Sequence, residues 1–342
     1  MEKKSKNPLK SILTIVISLA FAGFFLWLAL KGLDFKVIQA SLAKANYLWV
    51  LFASVFGILA YWFRAIRWNL MLEPMGHKIS NSNSFWSISF GYLMNLTIPR
   101  SGEVARATAL YGVEKVPVDK SFGTIILERV VDLICMMGFL GLTLLFKYEA
   151  ILSFYENSGV NINPNKILLV LFILATGTIL FFVFRKRLVG VPFFGKVVNF
   201  IDGIFEGLAT IFKLKEKGKF ILYTLGIWIS YYFAAYLVCF ALPETSNFTI
   251  ADGFFIIVVG TLGMIIPASG GIGAFNLAMK FGFMALFISM GKSAELGGEM
   301  GLTYSFISLP LQITIMLVMG LISIPMLAKA REKAVSDQEI NN

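Results

Sequence analysis

Long apolar runs separated by short polar stretches dominate the chain. Six of them approach the roughly 20 residues that a helix needs to cross hydrocarbon: Ser11–Leu30, Tyr47–Ile66, Phe122–Phe146, Ile167–Phe184, Ile221–Leu242 and Tyr304–Leu327. The first resembles a signal peptide in its lysine-rich flank. It is long, lacks a small-residue cleavage site and precedes further spans, so it reads as an uncleaved first span. Two more apolar regions, Phe85–Ile98 and Phe254–Ile288, are interrupted by glycine and proline. Each must begin and end on one side of the membrane, as a re-entrant hairpin or a pair of crossings. Ile201, Ile204, Phe205, Leu208, Ile211 and Phe212 recur at helical spacing, so Ile201–Leu214 reads as a surface amphipathic helix or a simple connecting helix.

The two interrupted regions share a pattern. The first runs from Phe90 through Asn95, Pro99, Arg100, Ser101, Gly102 and Glu103; the second from Val259 through Pro267, Ser269, Gly270, Gly271 and Gly273. Both carry Pro-x-Ser-Gly after a short apolar run. Proline removes a backbone donor and glycine permits unusual angles. Such a break survives inside a membrane only where protein or a watery cavity satisfies the backbone. Three spans separate the two elements, which puts them on opposite sides, as corresponding parts of an inverted repeat. The competing reading is that Pro and Gly here only punctuate loops. The expected fold is therefore all-α: a polytopic membrane helical bundle of six spans plus two broken or re-entrant hairpins in an inverted repeat.

Composition fits this pattern. The 342 residues are 57% hydrophobic and 15% charged, where a soluble domain carries about 25% charged. One membrane domain over 11–327 is expected, between a cytoplasmic segment 1–10 and a tail 328–342. The net charge of +10 is concentrated beside spans, above all in the basic loop 185–219, which carries the possible amphipathic helix. That placement argues for topology control at an anionic surface and against a nucleic-acid partner. By the positive-inside rule both termini are cytoplasmic. His77, Cys135 and Cys239 are too few for a disulfide framework or a Cys/His metal cluster. No cofactor is expected, and no Walker-type phosphate loop occurs.

A few charges lie where an apolar helix should sit. Glu128 and Asp132 share a helix face at i,i+4, with Arg129 beside them. Arg64, Arg67, Arg100, Glu103 and Arg106 are assigned near the same cytoplasmic boundary. A network among these groups keeps each charge satisfied, and arginine geometry matches phosphate oxygens. The plainer alternatives are a structural network and, for Arg64 and Arg67, snorkelling to the interface. Lys280 interrupts an apolar run, and Trp228, Tyr231, Tyr232 and Tyr236 suit an interface or a cavity wall.

The run Gly91–Arg106, with Arg67-Trp68, Glu128-Arg129, Asp132 and Pro267–Gly273, resembles the flippase-like family of the lysylphosphatidylglycerol synthase transmembrane region, also called UPF0104 or YbhN-like. The resemblance covers about Leu9 to Lys329. It implies a multi-pass protein of the bacterial or archaeal inner membrane that moves or handles lipids or lipid-linked molecules. It also implies that Pro99, Arg100, Gly102, Glu103 and Arg106 face Pro267, Ser269, Gly270 and Gly271 across a central cavity. Multidomain relatives carry an aminoacyl-transfer domain after this module. Here only a short charged tail follows the last span, so aminoacylated lipid does not carry over as substrate.

The leading expectation is a lipid translocase or transporter with a polar intramembrane cavity. Its substrate-binding residues would be Arg64, Arg67, Asn95, Pro99, Arg100, Gly102, Glu103, Arg106, Glu128, Arg129, Asp132, Pro267, Ser269, Gly270 and Gly271. The expected partner is a membrane phospholipid or lipid-linked molecule, with an oligomer or an envelope-lipid enzyme as further options. Competing readings are a transporter of small polar or anionic solutes, an enzyme acting on a lipid-linked sugar or phosphate, and a non-transporting scaffold for an envelope-lipid enzyme. The enzyme reading is disfavoured because the sequence offers no His-rich or closely spaced acidic metal cluster.

Overall fold

The computed structural model describes residues 27, 35–98, 101–157, 176, 214–265 and 271–340. The described elements are all helical. They are α1 (Phe35–Lys44), α2 (Tyr47–Leu72), α3 (Asn81–Thr97), α4 (Gly102–Glu114), α5 (Val118–Phe146), α6 (Tyr148–Asn157), α7 (Lys217–Cys239), α8 (Ile250–Ile265), α9 (Ala274–Ser289) and α10 (Ala294–Ile340). Four of them, α2, α5, α7 and α10, are long and apolar enough to cross a membrane. These correspond to four of the six expected spans. Ser11–Leu30, Ile167–Phe184 and nearly all of the basic loop with Ile201–Leu214 lie outside the described residues. So do Pro99, Arg100, Pro267, Ser269 and Gly270.

Local chemistry sets the helix ends. Asn46 caps α2 by accepting from the Leu48 N–H at 3.1 Å. After a 3-10 turn, Gly76 takes a left-handed φ of 86° and ends the element. Lys115 does the same for α4 at φ 56°, and Pro117 precedes α5. The last helix is longer than the apolar run Tyr304–Leu327. It starts at Ala294, ten residues before Tyr304, and continues to Ile340, so residues 328–340 extend a helix. Pro310 and Pro325 lie within it. Alanine, glutamate, lysine and arginine in that stretch favour helix, and tail polarity alone gives no reason to stop.

The two interrupted regions become pairs of short helices. At 1.5 Å per residue, the 16 and 17 residues of α8 and α3 reach about 24–26 Å, and the 13 of α4 about 20 Å. A bilayer core is about 30 Å thick. In the second pair the chain folds back closely. A Cβ on Gly263 would lie 2.8 Å from that of Ala278, and one on Gly260 3.1 Å from Phe275 and Met279. Gly297 and Gly301 then bring α10 against α9: a Cβ on Gly301 would meet the Met279 carbonyl at 2.3 Å. Small residues four apart allow this backbone approach.

Packing divides into two sets. α2 packs on α3, α3 on α4, α4 on α5; α7 packs on α8, α8 on α9, α9 on α10. Between the sets, α2 lies along α7, α5 along α8, and α10 along α3. Two apolar cores result, each drawn mainly from one set. One is built on Trp68, Leu72, Ile88, Leu110 and Ile125, the other on Trp228, Phe255, Phe275, Phe283 and Tyr304. Lys147, just past α5, reaches buried Asp252 in the first turn of α8 at 2.6 Å. The Asp252 carboxylate also accepts from the Thr249 N–H and hydroxyl, both at 2.7 Å, and so caps α8.

Candidate functional site

The charged residues of the first helix set converge on α5. Asp132 sits at the midpoint of that helix, with 118–131 before it and 133–146 after. Arg64 and Arg67 are three apart on α2 and so share a face. Arg64 Nη2 donates to Asp132 Oδ2 at 3.1 Å and to the Tyr231 hydroxyl of α7 at 3.0 Å. Arg67 Nη2 donates to Asp132 Oδ1 at 3.0 Å, while its Nη1 reaches the Thr224 hydroxyl at 3.4 Å. One carboxylate therefore holds two arginines, and each arginine also touches α7.

One turn earlier on α5, Glu128 takes the Arg106 guanidinium from α4 as a hydrogen-bonded ion pair. Arg64 Nη1 stands 3.7 Å from the same carboxylate oxygen. Arg106 also lies over the Trp68 ring, 4.8 Å from its centroid, a cation–π contact. The Trp68 indole N–H in turn donates to the Thr124 hydroxyl at 2.9 Å. Arg129 reaches Glu103 at 3.3 Å and Asp132 at 3.6 Å.

The inner groups are dry. Arg64, Arg67, Arg106 and Glu128 are 4% exposed or less. This corrects the snorkelling alternative for Arg64 and Arg67. Asp132 stands at the middle of α5, where pairing removes the need to reach water. Among the described residues, the buried group holds three guanidiniums against the carboxylates of Glu128 and Asp132. The Glu103–Arg129 pair at its edge adds one charge of each sign. Arg64 Nε and Nη1, Arg106 Nε and Glu128 Oε1 are buried without a hydrogen-bond partner.

The α3–α4 break borders this cluster. The Gly102 N–H, the first free donor of α4, is taken by Asn95 Oδ1 at 2.7 Å. The Ser101 hydroxyl donates to the Met94 and Ile98 carbonyls at 2.9 and 2.7 Å. Gly102 is required by contact. A Cβ there would lie 2.5 Å from both Asn95 Nδ2 and the Gly91 carbonyl. A cleft opens here, lined by Ile88, Gly91, Tyr92, Asn95, Gly102, Glu103, Arg106 and Arg129. Its free volume is about 10 Å³, room for about one water. Of the expected site residues, Asn95, Gly102, Glu103, Arg106 and Arg129 line this cleft, together with Ile88, Gly91 and Tyr92.

The second break is built differently. Gly271 and Gly273 adopt φ of 75° and 83°, angles open to glycine. Gly271 packs against the Met264 sulfur, and among the described residues no hydrogen bond or ion pair of the arginine cluster reaches it. Buried Asn276 accepts from the Gly273 N–H at 2.9 Å and donates to the Ser305 hydroxyl at 2.7 Å. Sequence reasoning passed over Asn276, Thr224 and the Lys147–Asp252 pair. It named Tyr231 only among aromatics that suit an interface or a cavity wall. The Asn at N3 behind a glycine-rich turn was the one local signal available.

Comparisons with known proteins extend this picture. The description of the lysylphosphatidylglycerol synthase TM region matches residues 15–327. A UPF0104 membrane protein of Methanocaldococcus jannaschii is 30% identical over 122 residues, 35% of this chain and 36% of that protein. The glycosyltransferase AglD of Haloferax volcanii is 24% identical over 316 residues, 83% of this chain and 50% of that protein. The matched parts thus cover about a third and a half of those relatives. No solved structure matches. On a match that runs over residues 15–327, the chain belongs to the lysylphosphatidylglycerol synthase TM region family.

Proposed function

We propose that the chain is a lipid translocase or lipid transporter that receives an anionic head group at the Arg64–Arg67–Arg106 cluster. The observation that carries this reading is the charge count. Three buried guanidiniums face two carboxylates, and several guanidinium nitrogens have no hydrogen-bond partner. A buried uncompensated cation is costly, and a phosphate oxygen supplies the missing acceptor in the geometry arginine prefers. The water-sized cleft is then the closed form, and the α3–α4 pair moves relative to α5 when a head group enters. Pro99 and Arg100 belong to the same break, and Pro267, Ser269, Gly270 and Gly271 to its counterpart on the far side.

An inverted repeat of α2–α5 and α7–α10 suits this motion. Exchanging α2 with α7, α3 with α8, α4 with α9 and α5 with α10 maps the principal packing pairs onto one another, including α5–α8 onto α10–α3. Together with the positive-inside charge balance, this supports a multi-pass protein of the cell membrane with both termini cytoplasmic. The match to half of a glycosyltransferase favours a second reading, a membrane scaffold for an envelope-lipid enzyme.

Translocation of labelled lipid by the purified chain in vesicles separates the two. A translocase moves phospholipid, polyprenyl phosphate lipid or glycolipid faster than protein-free vesicles do. Replacing Arg100, Glu103 or Asp132 singly reduces that rate in folded protein. No acceleration with any of these lipids favours the scaffold, and unchanged rates in all three variants refute the site.

A further inference from the structure

The polar cluster and the exposed surface of α5 meet at one residue. Phe122, Ile126, Leu133 and Met137 form an exposed apolar stripe on α5 at helical spacing. Arg129 stands within that stripe, its side chain 48% exposed. Its guanidinium turns inward to Asp132 and to Glu103, which sits in the first turn of α4 and is 29% exposed. Behind this pair lies the cleft, and behind the cleft the Arg106–Glu128 pair. Glu103 and Arg129 therefore stand between the exposed apolar surface of α5 and the dry interior.

We propose that Glu103–Arg129 is an exchangeable ion pair at a side entrance between α4 and α5, displaced when the phosphodiester of an anionic phospholipid enters from the bilayer. The inference rests on the preceding reading of the cluster and adds the route and the substrate class. Arg129 has two carboxylate partners. Asp132 is also held by Arg64 and Arg67 at 3.1 and 3.0 Å, so Glu103 is the partner that exchanges. A phosphate oxygen takes its place on Arg129. The next guanidinium inward is Arg106, whose buried Nε has no partner. The acyl chains stay in the bilayer beside the apolar stripe of α5.

An exchange pair and a structural pair give opposite signs when each half is neutralised. A structural pair loses the same contact from either side. In an exchange pair Glu103 competes with the phosphate, whereas Arg129 binds it. The test uses the full chain in nanodiscs of phosphatidylcholine with a minority of phosphatidylglycerol, a phosphodiester whose head carries no other charge. Phosphatidylglycerol retained after a detergent wash is measured by mass spectrometry, with elution profile and melting temperature as checks on folding. Arg129→Gln lowers retention about tenfold, the loss of one charge-assisted contact, and Glu103→Gln raises it several-fold. Arg129→Lys, which keeps the charge without the fork, falls between Arg129→Gln and wild type and serves if the glutamine variant does not fold. Equal losses from Glu103→Gln and Arg129→Gln overturn the proposal. Displacement of the lipid by soluble glycerophosphate also overturns it, since the site is then fed from water. Arg106→Gln separates the two levels. If it loses the lipid while the Glu103 and Arg129 variants match wild type, the entrance is wrong and the cluster reading stands. If it keeps the lipid as well, both readings fall.

Discussion

Glu128→Gln separates charge from shape in the cluster. Glutamine keeps the volume and one acceptor, so the change removes a charge at a fully buried position. Arg106 loses its ionic partner, and Arg64, 3.7 Å from the same oxygen, loses its second carboxylate. Three buried guanidiniums then face Asp132 alone. Removing one partner of a buried pair costs about 3–5 kcal/mol. The acceptor that glutamine retains puts the expectation near the lower end, about 3 kcal/mol. Equilibrium unfolding in mixed micelles reads this directly. The double variant Arg106→Met/Glu128→Gln removes the uncompensated cation with its partner, so its cost falls short of the summed single costs by about 2 kcal/mol. The same loss of negative charge raises retention of anionic lipid even as stability drops. A Glu128→Gln protein within about 0.5 kcal/mol of wild type, the range of ordinary surface changes, refutes the reasoning, because the carboxylate would then be solvated.

Other expectations test separate joints of the structure. Gly102→Ala puts a Cβ 2.5 Å from Asn95 and from the Gly91 carbonyl; it costs about 1–3 kcal/mol by overpacking and lowers lipid translocation by shifting Arg106, both readable on one preparation. Lys147→Met strands the buried Asp252 carboxylate and costs about 3–5 kcal/mol in unfolding, and adding Asp252→Asn recovers part of it at the expense of the Thr249 cap. Asn276→Leu removes the acceptor of the Gly273 N–H and the donor to Ser305, with an expected loss of about 1–3 kcal/mol and no change in retained anionic lipid.

Several features were legible in the sequence because they depend on neighbours in the chain. The i,i+4 carboxylates Glu128 and Asp132 and the i,i+3 arginines Arg64 and Arg67 announce shared faces from spacing alone. Pro-x-Ser-Gly announces the helix breaks, and the apolar runs announce α2, α5, α7 and α10. What the sequence hid is pairing at a distance. Arg64 finds Tyr231 and Arg67 finds Thr224 across more than 150 positions, and a tyrosine among five aromatic or hydroxyl residues looks like interface packing. Burial was hidden for the same reason: Arg64 and Arg67 read as residues that snorkel until their partners are known. Charge marked 328–342 as a tail without fixing its local structure, and helix propensity carries α10 through it to Ile340.

The central claim is that a lipid phosphate occupies the space beside the buried arginines. An electron cryomicroscopy map of the chain in nanodiscs rich in phosphatidylglycerol tests it most directly. Phosphate density is expected between α4 and α5 within hydrogen-bonding distance of Arg106 or Arg129, with the Glu103–Arg129 contact opened and the acyl chains running along Ile126 and Leu133. Density for water alone in the cleft, with every ion pair of the cluster closed in a preparation that moves lipid, would contradict it.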